Sequence, residues 1–295
     1  MFRIAYLSLA MAAYPPMGET VVVEPTAEHT HTVIFIHGIT CSGGAMKYLF
    51  DDSVPGKGCC GAKGALEDPN RKTVLPTAPY VWNDMWNEKT HSWFNLAYPT
   101  HEDYQRWLGL LLQLNVCQVY TEAFATVVAR DQVLELAQII LDMAEKEAAL
   151  LATEESDGFD KVFIGGFSQG AMTTMSVLMQ HYSQFDKPIG GYFVLSGAVS
   201  ILPLLDHTCH AFSVFPPQPS GLEKAMMDEM PLYLAHGLAD PTIPFWLAML
   251  ADTTIWSTYW MSGLLTTHFE KDQTHVITDG ECEKLNSWMA DALDE

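Results

Sequence analysis

The chain of 295 residues is 48% hydrophobic and 17% charged, a globular composition that excludes a disordered or low-complexity protein, and no internal repeat is visible. Fifteen Lys and Arg stand against 36 Asp and Glu, a formal charge of -21, which disfavours attraction to nucleic acid or an anionic membrane surface and makes a neutral or cationic ligand easier to accommodate. The six cysteines show no Cys-x-x-Cys spacing, read as mostly reduced thiols, and with neither Cys59-Cys60 nor His207-x-Cys209-His210 completing a set of ligands they specify no metal site.

Residues 1–13 carry one Arg followed by a short apolar run, a pattern shared by a signal peptide and an N-terminal strand. The absence of an Asn-x-Ser/Thr sequon and the acidic, cysteine-poor composition favour the cytoplasm; the alternative is secretion, with 1–13 as the signal. No other stretch approaches the ~18 apolar residues a membrane span requires, so a soluble protein is expected. We take 1–20 as an N-terminal segment and 21–295 as a single α/β domain.

Residues 21–24 and 32–37 read as strands, the second a continuous apolar run of the kind buried in a parallel sheet. It ends in His37-Gly38-Ile39-Thr40, where Gly38 permits a sharp turn at the strand's carboxyl end. A short helix is expected at 42–50, a polar Gly-rich insertion at 51–72 and a strand at 73–75, closed by Pro76-Thr77-Ala78-Pro79. The aromatic segment holding Trp82, Trp86, Trp93 and Phe94 reads as irregular, used either for core packing or to wall an apolar pocket. The apolar stretch 107–114, with Leu110 and Leu111, reads either as a lid or acyl-pocket segment or as a buried helix turn.

Apolar positions 124, 127, 128, 137, 140, 141, 144, 148 and 151 keep helical spacing, predicting a long amphipathic helix over 121–151 that Asp157-Gly158 breaks. The apolar run from Val162 then leads into Gly166-Phe167-Ser168-Gln169-Gly170. Gly-x-Ser-x-Gly between a strand and a helix reads as a nucleophile elbow, a turn so tight that only glycine fits on either side and the serine hydroxyl stands clear of the sheet. The bland reading is a strand-to-helix turn with a capping serine. A helix at 169–182, a strand at 190–195, a second insertion at 207–229, a strand at 231–235, an apolar helix at 245–261, a strand at 265–269 and a closing helix at 279–292 complete an α/β order with a mainly parallel sheet.

A nucleophilic Ser168 needs a base and a carboxylate to orient it, in loops after later strands and in the order acid then histidine. Asp240 follows a strand and is stiffened by Pro241, whereas Asp206, Asp228 and Asp252 fall in an insertion or a helix. His275 falls in the loop before the last helix, whereas His268 falls inside a strand. The backbone N–H groups of Gln169 and Ile39 are the expected donors to an oxyanion.

At this point the chain resembles the acyl-protein thioesterase, carboxylesterase and lysophospholipase family of small α/β-hydrolases. The resemblance runs from about residue 32 to 289 through Phe-Ile-His-Gly at 35–38, Pro-Thr-Ala-Pro at 76–79, Ser-Trp-Phe at 92–94, Gly-Gly-Phe-Ser-Gln-Gly at 165–170, His-Gly-x-x-Asp-Pro at 236–241, and Thr274-His275. It implies Ser168 as nucleophile, His275 as general base then acid, Asp240 as orienting carboxylate, and the amides of Ile39 and Gln169 as oxyanion hole. It further implies hydrolysis of a thioester or oxygen ester, without metal or cofactor. The implied partners are an acylated protein or a small ester, with no nucleic acid and at most transient membrane contact through the acyl chain.

Two departures stand out. Where the family commonly follows His-Gly-Leu with Gly-Asp, this chain has Thr40 and Cys41, and the insertions 51–72 and 207–229 are long for the family. Trp93, Leu110 and Leu111 are the expected acyl-pocket residues. The leading expectation is a depalmitoylating thioesterase; the alternatives are a general carboxylesterase or lysophospholipase and, from another class, a non-catalytic hydrolase-fold binding protein.

Overall fold

Continuous apolar runs build the centre of the sheet because both of its faces are covered. In β2 (His31–Ile36) all six residues are buried, with Val33 and Phe35 in one hydrophobic cluster and Ile34 and Ile36 in the other. The same split runs through β6 (Val162–Phe167), β7 (Gly191–Leu195) and β8 (Leu232–Gly237). Against one face lie α3 (Arg130–Leu151) and α4 (Gln169–Gln184); against the other lie α1 (Gly43–Phe50) and α5 (Asp279–Asp294).

The computed structural model describes residues 15–54, 61, 63–95, 100–112, 130–197, 230–245 and 264–294. Among them, strands pair in the order β1-β3-β2-β6-β7-β8-β9, where β1 is Val21–Val23, β3 is Arg71–Leu75 and β9 is Leu265–Glu270. Only the β1–β3 pair in this sheet is antiparallel. From β2 the chain adds β3 on one side, then returns to place β6 on the other. That reversal is a topological switch point at the carboxyl ends of β2 and β6, the place where open α/β sheets bind ligands. The arrangement is an α/β-hydrolase fold.

Three expectations need correction. The aromatic segment is not irregular: Tyr80–Asn83 (β4) and Glu88–His91 (β5) form an antiparallel hairpin whose turn carries Asn87 at φ 52°. Tyr80, Trp82 and Trp86 face solvent, so the polar/apolar alternation that would have revealed a half-buried strand is missing. The stretch 107–114 is not a buried turn: it belongs to α2 (His101–Leu112), on which Leu108 and Leu112 are 51% and 78% exposed. Residues 113 and 114 lie outside the described residues. The insertion at 51–72 ends earlier than expected, because Arg71 already pairs with His31 at the start of β3.

The long helix is described from Arg130, with Ala137, Ile140, Leu141, Ala144, Ala148 and Leu151 buried as the spacing predicts; 121–129 lie outside the described residues. So do the insertion at 207–229, with Asp206 and Asp228 at and within its margin, and most of the helix expected at 245–261, including Asp252.

The junction of β6 with α4 is closed by main-chain contact. A Cβ on Gly170 would sit 2.0 Å from the Ile36 carbonyl oxygen, and one on Gly166 would sit 2.6 Å from it. Backbone cannot retreat as a side chain can, so Gly170→Ala is expected to destabilise the protein by more than about 3 kcal/mol. A urea midpoint unchanged from wild type would contradict this packing.

Candidate active site

Ser168 links β6 to α4 with φ 57° and ψ -119°, a conformation rarely populated by any residue other than glycine and sustained where surrounding structure fixes it. Its N–H donates to the Leu195 carbonyl of β7 (3.0 Å) and its carbonyl accepts from Met172 in the first turn of α4 (3.2 Å). The elbow therefore holds the serine above the sheet by bonds on both sides. Ser168 is 6% exposed, within reach of a substrate but shielded from bulk water.

Two loops bring the other side chains to it. After β8, Asp240 Oδ1 accepts the N–H groups of Thr242 (2.8 Å) and Ile243 (2.9 Å), which leaves Oδ2 directed at His275 Nδ1, 2.7 Å away. After β9, His275 stands with Nε2 2.8 Å from Ser168 Oγ and its ring 4.8 Å from that of Phe167, centroid to centroid. A carboxylate only accepts, so Nδ1 carries the proton and Nε2 is free to take the one on Ser168 Oγ. The two loops are tied together: Ala239 N–H donates to the Gln273 carbonyl (3.1 Å) and Leu238 N–H to the Glu270 carbonyl (2.9 Å). His236 lies 3.7 Å from Asp240 Oδ2 and bonds instead to the Ile243 carbonyl at 2.8 Å. Burial, the largest influence on it, lowers its pKa from the usual histidine value, so a neutral ring flanks the carboxylate.

The third loop follows β2. A Cβ on Gly38 would lie 3.3 Å from Ser168 Cβ, so this backbone passes directly beside the serine. Among the described residues, neither the Ile39 nor the Gln169 N–H has an acceptor within the protein. The loop is braced from beneath. His37, fully buried with its pKa pushed down to about 4 by that burial, accepts from Ala78 N–H through Nε2 (3.0 Å) and pairs through Nδ1 with the Gly38 carbonyl (2.6 Å). Trp93 Nε1 donates to the His37 carbonyl at 2.7 Å. The Gln169 side chain accepts from Trp93 N–H (2.9 Å) and donates to the Phe94 carbonyl (2.9 Å) and to Ser92 Oγ (3.1 Å).

The departure at Thr40 and Cys41 is thereby accounted for. Thr40 takes φ 67°, the left-handed conformation that glycine adopts without strain, and is held there by its N–H bond to the His91 carbonyl (2.9 Å) in β5. Cys41 is disulfide-bonded, with its partner outside the described residues, and Cys282 is free and buried.

The structure thus brings together Ser168, Asp240, His275, Ile39 and Gln169, and leaves His268 in β9. Trp93 is corrected from pocket wall to brace: it is fully buried under the loop after β2. Leu110 and Leu111 fall on α2, and their side chains lie outside the described residues. Ser92, the Gln169 amide and the His37 ring were not singled out in the sequence as supports; Ser-Trp-Phe at 92–94 was visible, but nothing local marks which buried polar groups will meet.

A model of the phospholipase/carboxylesterase family matches residues 126–291, more than half of the chain. The chain belongs to that family. Acyl-protein thioesterase 1 of Yarrowia lipolytica is 23% identical over 287 residues, which cover 97% of this chain and 100% of the relative. Among solved structures, acyl-protein thioesterase 2 of Zea mays superposes with a TM-score of 0.63 at 17% identity, covering 94% of this chain and 99% of that one. The Bacillus cereus carboxylesterase does so with a TM-score of 0.56 at 13% identity, covering 94% of each. At these identities the solved structures speak for the shared fold alone.

Replacing Thr40 by glycine tests whether this loop stores strain. A left-handed β-branched residue costs ~1–2 kcal/mol, more than the ~0.5–1 kcal/mol of backbone freedom that glycine loses on folding. Thr40→Gly is expected to raise unfolding stability by about 1 kcal/mol in urea titration. A lowered midpoint would mean that the threonine side chain stabilises the loop by more than its backbone strains it.

Proposed function

We propose that this family member is a serine hydrolase that cleaves acyl thioesters or carboxylic esters through an acyl-serine, with an acylated protein as the leading substrate and depalmitoylation as its reaction. The observation that carries the reading is the continuous chain Ser168 Oγ, His275 Nε2, His275 Nδ1, Asp240 Oδ2, joined at 2.8 and 2.7 Å. The elbow serine would be an ordinary capping residue if it bonded its own helix, but its side chain makes no such cap. That disfavours the non-catalytic alternative.

In this mechanism Ser168 Oγ attacks the acyl carbonyl carbon while His275 Nε2 takes its proton. The carbonyl oxygen becomes an oxyanion and accepts from the Ile39 and Gln169 N–H groups, which have no acceptor of their own among the described residues; one such donor lowers the barrier by on the order of 3 kcal/mol. The tetrahedral intermediate collapses as His275 Nε2–H passes its proton to the departing thiolate or alkoxide. Water then attacks the acyl-serine, His275 takes its proton, and collapse returns that proton to Ser168 Oγ and frees the acid. Asp240 stays ionised throughout and stabilises the imidazolium. The reaction draws on no metal or cofactor.

The thioester reading over a general carboxylesterase draws support from the full-length similarity to Acyl-protein thioesterase 1 of Yarrowia lipolytica. We further read residues 21–295 as one catalytic domain. For compartment, the cytoplasm and the secreted alternative are separated by one feature: the Cys41 disulfide favours an oxidising compartment. No helix among the described residues is long and apolar enough to cross a membrane.

Hydrolysis of p-nitrophenyl esters from acetate to palmitate, beside a palmitoyl thioester, tests the reading. Ser168→Ala is expected to remove turnover with the fold intact, and Asp240→Asn to lower kcat by about 10⁴-fold through loss of the correct imidazole tautomer. Serine-dependent preference for the long thioester supports depalmitoylation, and preference for short esters moves the assignment to a carboxylesterase. Turnover retained in Ser168→Ala would sink both.

A further inference from the structure

The loop that carries His275 is closed by a side chain that takes no part in the chemistry above. Gln273, two residues before the histidine, donates from Nε2 to Glu281 Oε2 at 2.9 Å and to the Val276 carbonyl at 2.7 Å. Thr278, three residues after it, donates its N–H to the same Glu281 Oε2 at 3.4 Å, while Thr278 Oγ1 accepts the Glu281 N–H at 3.1 Å. The second pair is a capping box, Thr-x-x-Glu, that begins α5. One carboxyl thus holds both ends of the 273–278 loop. The hold reaches the acid loop as well, because the Gln273 carbonyl accepts the Ala239 N–H beside Asp240. No space separates these loops: a Cβ on Gly237 would lie 2.2 Å from that same carbonyl oxygen.

We propose that Glu281 is a positioning residue of the acyl-transfer site, its buried carboxyl clamping the two ends of the His275 loop so that the imidazole stays between Asp240 and Ser168. This rests on the reading of those three residues as a catalytic triad. Glu281 is fully buried, and among the described residues no cation acts on it. Among the described residues, the titratable groups around it are Glu270 at the end of β9, Tyr233 on β8 and Cys282 on its own helix, none of which is positively charged. Burial, with Glu270 adding to it, pushes its pKa up to about 8. Oε2 accepts two N–H donors, so the proton of the neutral acid sits on Oε1, which accepts none among the described residues.

The clamp is therefore proton-dependent. An acid whose folded pKa is raised takes up a proton on folding, so the stability of the fold declines as pH rises from the ordinary carboxyl value towards about 8, and above that the carboxyl is a buried charge facing Glu270. Ionisation should loosen the loop and lower kcat, with little effect on substrate binding.

The test is the pH profile of p-nitrophenyl butyrate hydrolysis for wild type, Glu281→Ala and Glu281→Gln, with Ser168→Ala alongside. Glu281→Ala is expected to lower kcat at least about tenfold with KM nearly unchanged, since small misplacement of a general base acts on the chemical step. Glu281→Gln keeps acceptor and shape without a titrating proton. It should restore most of that kcat, lack the fall above about pH 8 that wild type shows, and melt progressively higher than wild type as pH rises. If Glu281→Ala fails to fold, the comparison of Glu281→Gln with wild type decides. An alkaline fall identical in those two proteins, or full kcat in a folded Glu281→Ala, overturns the proposal. Turnover in Ser168→Ala would instead overturn the triad on which it rests.

Discussion

The contact on which the site depends is between main chains: the carboxyl end of β2 against the first turn of α4, where a side chain at Gly170 would meet the Ile36 carbonyl at 2.0 Å. Because nothing fits between them, the backbone of the loop after β2 is delivered directly beside the serine. A polar site assembled in this way undergoes little reorganisation when charge develops, which is where fixed dipoles are most effective. The parallel order of β2, β6, β7, β8 and β9 adds the rest. Each of these strands ends on the same edge of the sheet, so the loops after β2, β6, β8 and β9 converge there.

Support beneath the site is polar and buried. His37 is kept neutral and spends both ring nitrogens on backbone, Trp93 caps the His37 carbonyl, and Gln169 spends its side chain on residues 92–94. Such groups are costly to bury unless every one is paired, and once paired they admit few alternative arrangements. The acidic side follows the same logic, with Asp240 held by two backbone N–H groups before it meets the histidine. The pairing is incomplete beneath the His275 loop, where Glu281 Oε1 and Gln273 Oε1 lack a partner among the described residues, and it is there that we place the site's sensitivity to a proton.

The candidate site residues were legible because the chemistry proposed for them leaves local marks. The elbow requires glycines on both sides of Ser168, the acid requires a strand end, and Thr278-x-x-Glu281 is itself a readable capping signature, although its link to Gln273 is visible only in three dimensions. Buried strands announced themselves as unbroken apolar runs. The β4–β5 hairpin did not, because its outward residues are aromatic, and Trp93 misled because an aromatic residue beside a site is equally suited to wall and to brace. The Thr40 and Cys41 substitutions looked like a threat to the oxyanion loop; one is absorbed by a left-handed backbone held by β5, the other by a disulfide.

The central claim is that acyl groups pass through Ser168, and the direct measurement is to catch one there. Wild-type protein mixed with excess long-chain thioester, acid-quenched within one turnover and digested, should yield the peptide containing Ser168 heavier by the acyl group. An acyl group found on another residue, or turnover with no acylated serine at any quench time, would contradict the account.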